Sequence, residues 1–302
     1  MNHFSLEMSL IAVLPALFLC GYVFYKDRVE KEPIGLLAVL FAVGAVAYVP
    51  AYFAQELIVG LIDKAFAVQM SASPEGLITF TSKTAEFTHM SLCAFLGFSL
   101  VRVVIKWGAL FLVTRKNKNF NYLFDGIVYS VFISLGFAVS ENVHFIIQND
   151  IEMLAAKLLT SVPCHLFIAI LMGYYYTMWH MRFAANSIEN DLLKAGIVEK
   201  DNIRSSAIWL VSSLLIPFAV NGIYVLAGSV NSDTVTLIFY AAVFLLFGIS
   251  FLAIDQIAAR DSSYGRYLYR IIAKGHPELS AEKIKAAVNA ELGDEVKEVE
   301  AE

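Results

Sequence analysis

The feature that most constrains this chain is a series of long apolar runs, roughly 7–25, 34–57, 90–113, 125–148, 156–179, 206–228 and 234–256. Each is close to the ~20 residues that cross a bilayer as a helix. Hydrocarbon offers no water to backbone N–H and C=O groups, so runs of this length must satisfy those groups internally. The expected fold is all-α, a polytopic membrane helix bundle of about seven transmembrane helices. Composition agrees, with 58% hydrophobic and only 16% charged residues, far from the usual mix of a soluble domain. Residues 1–258 read as the transmembrane helical domain. Residues 259–302 read as a cytoplasmic tail in which Ala281 to Leu292 form a short amphipathic helix before the acidic Asp294 to Glu302.

Positive charge sets the expected orientation. Loops 26–33, 114–124 and 180–205 gather Lys26, Arg28, Lys31, Arg115, Lys116, Lys118, Arg182, Lys194, Lys200 and Arg204, whereas the opposite loops hold Lys64, Lys83 and Lys157. The rich side should be cytoplasmic, which puts the N-terminus outside and the C-terminus inside a membrane read as the bacterial inner (plasma) membrane. The first run has no Lys or Arg before it and no small-residue cleavage pattern after it, so it reads as a retained span. Cys20, Cys93 and Cys164 lie in or beside apolar runs without CxxC spacing and read as buried thiols. The net charge of -5 and the absence of a dense basic patch argue against nucleic acid as a partner. Membrane lipid and a membrane protein or peptide are the expected partners.

Within this apolar frame a few polar residues stand out. The loop Lys26 to Pro33 alternates signs and reads as a solvated turn. Ser71, Ser73, Pro74 and Gly76 form a break, after which Leu77 to His89 reads as a helix entering the bilayer. Arg102 and Lys106 sit one turn apart in the third run, where two like charges repel unless an acid neutralises them. Glu141 or Asp125 is the expected partner. Asp125, at the start of the fourth run, is explained by the favourable field of a helix N-terminus. Glu141 lies deeper, and a carboxylate in hydrocarbon requires pairing, protonation or a metal.

Glu86 and His89, and again Glu141 and His144, have Glu-x-x-His spacing. That spacing puts a carboxylate and an imidazole near one helical face, as in carboxylate-bridged metal sites of helical bundles. With His165 they make a candidate metal set of Glu86, His89, Glu141, His144 and His165 for a divalent cation, zinc favoured. Metal-bound water would then attack an amide or ester near neutral pH. In that reading Glu141, His165 and Asn221 are the catalytic candidates, as ligand or base, ligand, and oxyanion donor. A satisfied buried hydrogen-bond network and a route for ions or protons are the other readings of the same residues.

Several longer motifs resemble the PrsW family of polytopic intramembrane proteases, which are related more distantly to prenyl-protein endopeptidases. They are Glu30-Lys31-Glu32-Pro33, the stretch from Phe120 through Asp125-Gly126-Ile127-Val128-Tyr129 and Gly136-Phe137-Ala138 to Glu141-Asn142, Val162-Pro163-Cys164-His165 with Met172-Gly173-Tyr174-Tyr175, and Pro217 with Gly222-Ile223-Tyr224. The resemblance covers roughly residues 20–228 and implies a membrane-embedded, possibly metal-dependent hydrolase acting on membrane proteins or peptides. The family pattern has two adjacent glutamates, then two residues and a lysine. Here the lysine is Lys106, and Arg102 and Val103 stand at the glutamate positions. Asn221 stands at a histidine and Val225 at an aspartate, while Glu141 and His165 are kept. Two expectations follow: a hydrolase whose site is rebuilt with Glu86, His89 and His144, or a catalytically inactive protease-like protein serving as scaffold, sensor or binding partner.

Overall fold

A computed structural model describes residues 6–72, 78–148, 151–200 and 202–292. The described chain is helical apart from one short hairpin. Its helices are α1 (Leu6–Lys26), α2 (Ile34–Phe66), α3 (Lys83–Leu92), α4 (Val101–Thr114), α5 (Asp125–Gln148), α6 (Ile151–Lys194), α7 (Ala207–Ser229), α8 (Asp233–Ala259), α9 (Tyr264–Gly275) and α10 (Ala281–Leu292). A π-helical stretch, Cys93–Leu100, joins α3 to α4. Six helices among the described residues are long and apolar enough to cross a membrane, and Ile11–Lys26 of α1 is a shorter apolar helix. Against the expected count of about seven, the described residues give six candidate spans, the first expected run forming only the shorter helix. Exposed Phe18, Ile34, Leu112 and Leu237 belong on the lipid-facing surface of such a bundle.

The elements are longer than the apolar runs. α2 has 33 residues, about 50 Å at 1.5 Å per residue, and α6 has 44, about 66 Å. Both outrun a hydrocarbon core of about 30 Å. The excess of α2 carries Asp63 to a hairpin, β1 (Met70–Ala72) paired antiparallel with β2 (Ile78–Phe80). α3 follows with Ser82 as its N-cap, whose side chain accepts from the Ala85 N–H. Ser73, Pro74, Gly76 and Leu77, part of the expected break, lie outside the described residues, as do Asp294 to Glu302. At the opposite end the excess of α6 holds α9 and α10. Ala184, Ala185, Ile188 and Leu192 pack with Leu268, Ile272, Ile284 and Val288, and His276 bonds Glu189 at 2.7 Å and Glu278 at 3.0 Å. Ala281–Leu292 forms α10, docked through Ile284 and Val288.

α5 is the axis of the bundle, packed by α1, α2, α4 and α6. Two close crossings set its position. A Cβ on Gly136 would strike the Phe41 carbonyl of α2, and one on Gly173 would strike the Gly126 carbonyl of α5. Small residues let backbones approach in this way where helices meet in lipid. The loop after α1 differs from its expected solvated state. Asp27 and Glu32 are buried, the Glu32 N–H donates to Asp27 at 3.1 Å, and Asp125 accepts from the N–H groups of Asn121 and Tyr122 at 2.9 and 2.7 Å. The loop's other charges remain outside, so alternating sign did not mean that every member was solvated. Burial pushes the Glu32 carboxyl up to about 7, against its ordinary 4.5, and the neighbouring Asp27 charge adds to the shift.

Candidate functional site

Three helices meet at Glu141. Each presents polar residues at helical spacing: Arg102 and Lys106 on α4, Ser134 and Glu141 on α5, Lys157 and His165 on α6. Lys157 donates to Glu141 Oε1 at 2.7 Å, and Arg102 Nη2 lies 3.2 Å from the same oxygen. The other carboxylate oxygen, Oε2, is 3.1 Å from His165 Nε2. On the far side of the imidazole, Nδ1 is 3.3 Å from Lys106 Nζ, and Lys106 also donates to Ser134 Oγ at 3.3 Å. Ser134 in turn donates to the His165 carbonyl at 3.1 Å. Lys106 is 1% exposed, lies over the Phe137 ring, and has no carboxylate of its own among these contacts.

With Lys106 taken as an ammonium group, donor and acceptor counting assigns the imidazole tautomer. An ammonium group can only donate, so His165 Nδ1 accepts from Lys106 and Nε2 carries the proton given to Glu141. A neutral imidazole in this tautomer has no free lone pair. Glu141 is committed on both oxygens, to Arg102 and Lys157 on one and His165 on the other, and with Lys106 beyond the imidazole the centre holds three cations to one carboxylate. The centre carries excess positive charge in a low-dielectric setting, where the repulsion of an added divalent cation is strong.

The residues expected to form a site fall in four places. Glu141 and His165 are brought together. Asn221, on α7, is buried, and its Nδ2 has no acceptor among the described residues. His144 turns instead toward α2, with its ring 5.7 Å from Tyr48 and 4.6 Å from Tyr52. At the hairpin end Glu86 is exposed, and His89 Nε2 bonds Asp63 Oδ1 at 2.7 Å rather than Glu86. Cys93 Sγ is 3.7 Å from the same nitrogen. Sequence reasoning missed Lys157, Asp63 and Cys93 as members of these clusters. Lys157 had been counted only as a loop charge, although it is two turns before His165 on one face. Cys93 is one turn after His89, a spacing that could have been noticed, but Asp63 comes from another helix and left no local signal.

The sequence model of the PrsW family, described as PrsW family intramembrane metalloprotease, matches residues 32–251. This chain belongs to that family. Among the similar curated proteins, Protease PrsW of Geobacillus kaustophilus is 27% identical over 212 residues, covering 70% of this chain and 75% of the relative. Protease PrsW of Bacillus subtilis is 26% identical over 212 residues, covering 70% and 78%. That of Oceanobacillus iheyensis reaches 31% over 165 residues, covering 54% and 65%. No solved structure matches. The matched stretch includes Arg102, Val103, Asn221 and Val225.

Family membership implies a metal, and the donor set at Glu141 does not fit one. The Arg102 guanidinium is paired with Glu141. The imidazole lone pair is occupied by Lys106. Zinc bonds of about 2 Å would need both groups released. Fold and chemistry therefore have to be argued separately, since a shared scaffold does not transfer an activity.

Proposed function

We propose that this PrsW-family protein is a catalytically silent membrane binding protein, with its N-terminus outside and its C-terminus in the cytoplasm of a bacterial plasma membrane. The observation that carries this reading is the ion pair between Arg102 and Glu141, reinforced by Lys157 on the same carboxylate oxygen. A general base or a metal ligand needs a lone pair that is available, and each one retained from the family pattern is engaged. The polar residues instead bind α4, α5 and α6 to one another, a use of buried charge that fixes helix register. The partner is another membrane protein or peptide, taken up beside the α4–α5–α6 centre within the lipid bilayer. The centre's excess positive charge and the buried Arg102 Nε, which has no acceptor in the described residues, favour a segment that brings a carboxylate.

The test uses His165→Gln, because a glutamine can accept from Lys106 through its oxygen and donate to Glu141 through its nitrogen. New protein N-termini in the membrane fraction would be compared between cells carrying the wild type and cells carrying this variant. A silent binder leaves the two sets identical. Fragments present with the wild type and missing with His165→Gln would reinstate the hydrolase.

A further inference from the structure

We propose a second polar site, independent of the Glu141 centre: Asp63, His89 and Cys93 form a zinc site at the hairpin end of the bundle, with a fourth position open to water or an external ligand. Their ligand atoms, one from each residue, all lie within 4.8 Å of one another. Among the described residues this is the one such group of three or more. The spacing is close to what the metal needs. Zinc bonds of about 2.0–2.3 Å in a tetrahedron put ligand atoms roughly 3.3–3.8 Å apart. Cys93 Sγ and His89 Nε2 are already 3.7 Å apart. His89 Nε2 and Asp63 Oδ1, at 2.7 Å, have to separate by roughly 0.6 Å. Asp63 can supply that movement, because its side chain is 47% exposed whereas that of His89 is 15% exposed.

The surroundings support a built site. His89 and Cys93 are one turn apart, at the junction where α3 becomes π-helical, so two ligands come from one rigid face and the third from the overhang of α2. The imidazole is flanked by Phe66 at 5.4 Å and Phe80 at 5.1 Å between ring centroids, which limits its rotation. Phe80 comes from the hairpin. Thiolate, imidazole and carboxylate together suit zinc rather than magnesium or calcium, which prefer oxygen ligands alone. In contrast to the Glu141 centre, no Lys or Arg among the described residues makes a salt bridge to any of the three residues. Binding would displace the thiol proton, so affinity rises with pH. Bound zinc would fasten α2, the hairpin-side end of α3 and the ring of Phe80 into one unit, as a structural or sensing site.

The experiment is a zinc titration of the full-length protein, purified in detergent without chelator, with cobalt as a spectroscopic substitute. One equivalent of zinc per chain is expected. Cys93→Ser and His89→Gln should each weaken binding more than about tenfold, since even residues behind the ligands cost that much when lost. His165→Gln should leave binding unchanged. Cobalt should give a thiolate charge-transfer band with the wild type, a readout that does not depend on any variant folding. No zinc bound by the wild type, a cobalt spectrum without thiolate character, or zinc lost in His165→Gln and kept in Cys93→Ser would overturn the proposal. Because the triad is tested at Cys93 and the silent centre at His165, failure of one leaves the other standing.

Discussion

Two polar clusters share the helix that runs from Lys83 to Thr114, and they have opposite electrostatic character. His89 and Cys93 meet a carboxylate from α2 and face no salt-bridged Lys or Arg. Arg102 and Lys106 begin thirteen residues later, about 20 Å along the helix, and meet a carboxylate that a second cation already holds. Ligand-type side chains occur in both places, so their presence does not distinguish them. What differs is whether their lone pairs are free. At the hairpin end one hydrogen bond must open to admit a metal, whereas at Glu141 a guanidinium, two ammonium groups and a fixed tautomer stand in its place.

The largest effect should come from Glu141→Gln. Removing the sole carboxylate leaves Arg102, Lys157 and Lys106 facing one another, and breaking a buried pair costs about 3–5 kcal/mol. Folded yield and thermal stability should fall sharply. If Glu141→Gln is as stable as the wild type, the carboxylate is not holding those cations and the contrast between the two clusters fails.

Zinc supplies the next effect, and it should appear only at the other cluster. At a hundred times its dissociation constant a native-state ligand adds about 2.7 kcal/mol, which should raise the melting temperature of the wild type and of His165→Gln equally. The shift should vanish in Cys93→Ser. A shift surviving in Cys93→Ser would move the metal away from the triad.

Arg102→Ala should cost less than Glu141→Gln, roughly 1–3 kcal/mol, because Lys157 and His165 still bond the carboxylate. A double-mutant cycle sharpens this. Arg102→Leu combined with Glu141→Gln should be less disruptive than the sum of the single changes, with a coupling of about 0.5–3 kcal/mol. Strict additivity would mean that the pair seen at 3.2 Å carries no interaction energy.

The smallest effect contrasts Glu141 with a buried acid that has no cation. The Glu32 carboxyl is raised to about 7, so the stability it contributes is fully present below its ordinary 4.5 and lost as pH rises through about 7. Hydrogen exchange in residues 27–33 and 120–125, corrected for intrinsic rates, should therefore increase over that window. Glu32→Gln should remove the dependence. A pH profile that is the same in both proteins would place the titration elsewhere.

Much of the fold was legible because burial in lipid leaves few options. The length of the apolar runs gave the all-α bundle, and the pair of cations on α4 called for a buried acid, Glu141 or Asp125, of which Glu141 pairs with Arg102. Lengths were less legible: α2 and α6 continue past the membrane on residues such as Asp63 and Glu189, which hydropathy marks as loop. Within the site, Glu141 and His165 could be named from the motifs that carry the family resemblance, but Lys157 and Ser134 could not, because their roles depend on which helix faces which. Glu-x-x-His spacing was misleading at both occurrences. Residues three apart on a helix diverge by about 60°, enough for His144 to reach Tyr48 and Tyr52 and for His89 to reach Asp63 while Glu86 stays exposed.

The central claim is that the centre this chain retains from a metalloprotease family is occupied by its own cations. The most direct measurement is zinc binding by Cys93→Ser, in which the triad at the hairpin end is disabled and Glu141 and His165 are intact. No stoichiometric zinc should bind, and cobalt should produce no coordinated spectrum. One equivalent of zinc bound by Cys93→Ser, and lost when His165→Gln is added, would contradict the account.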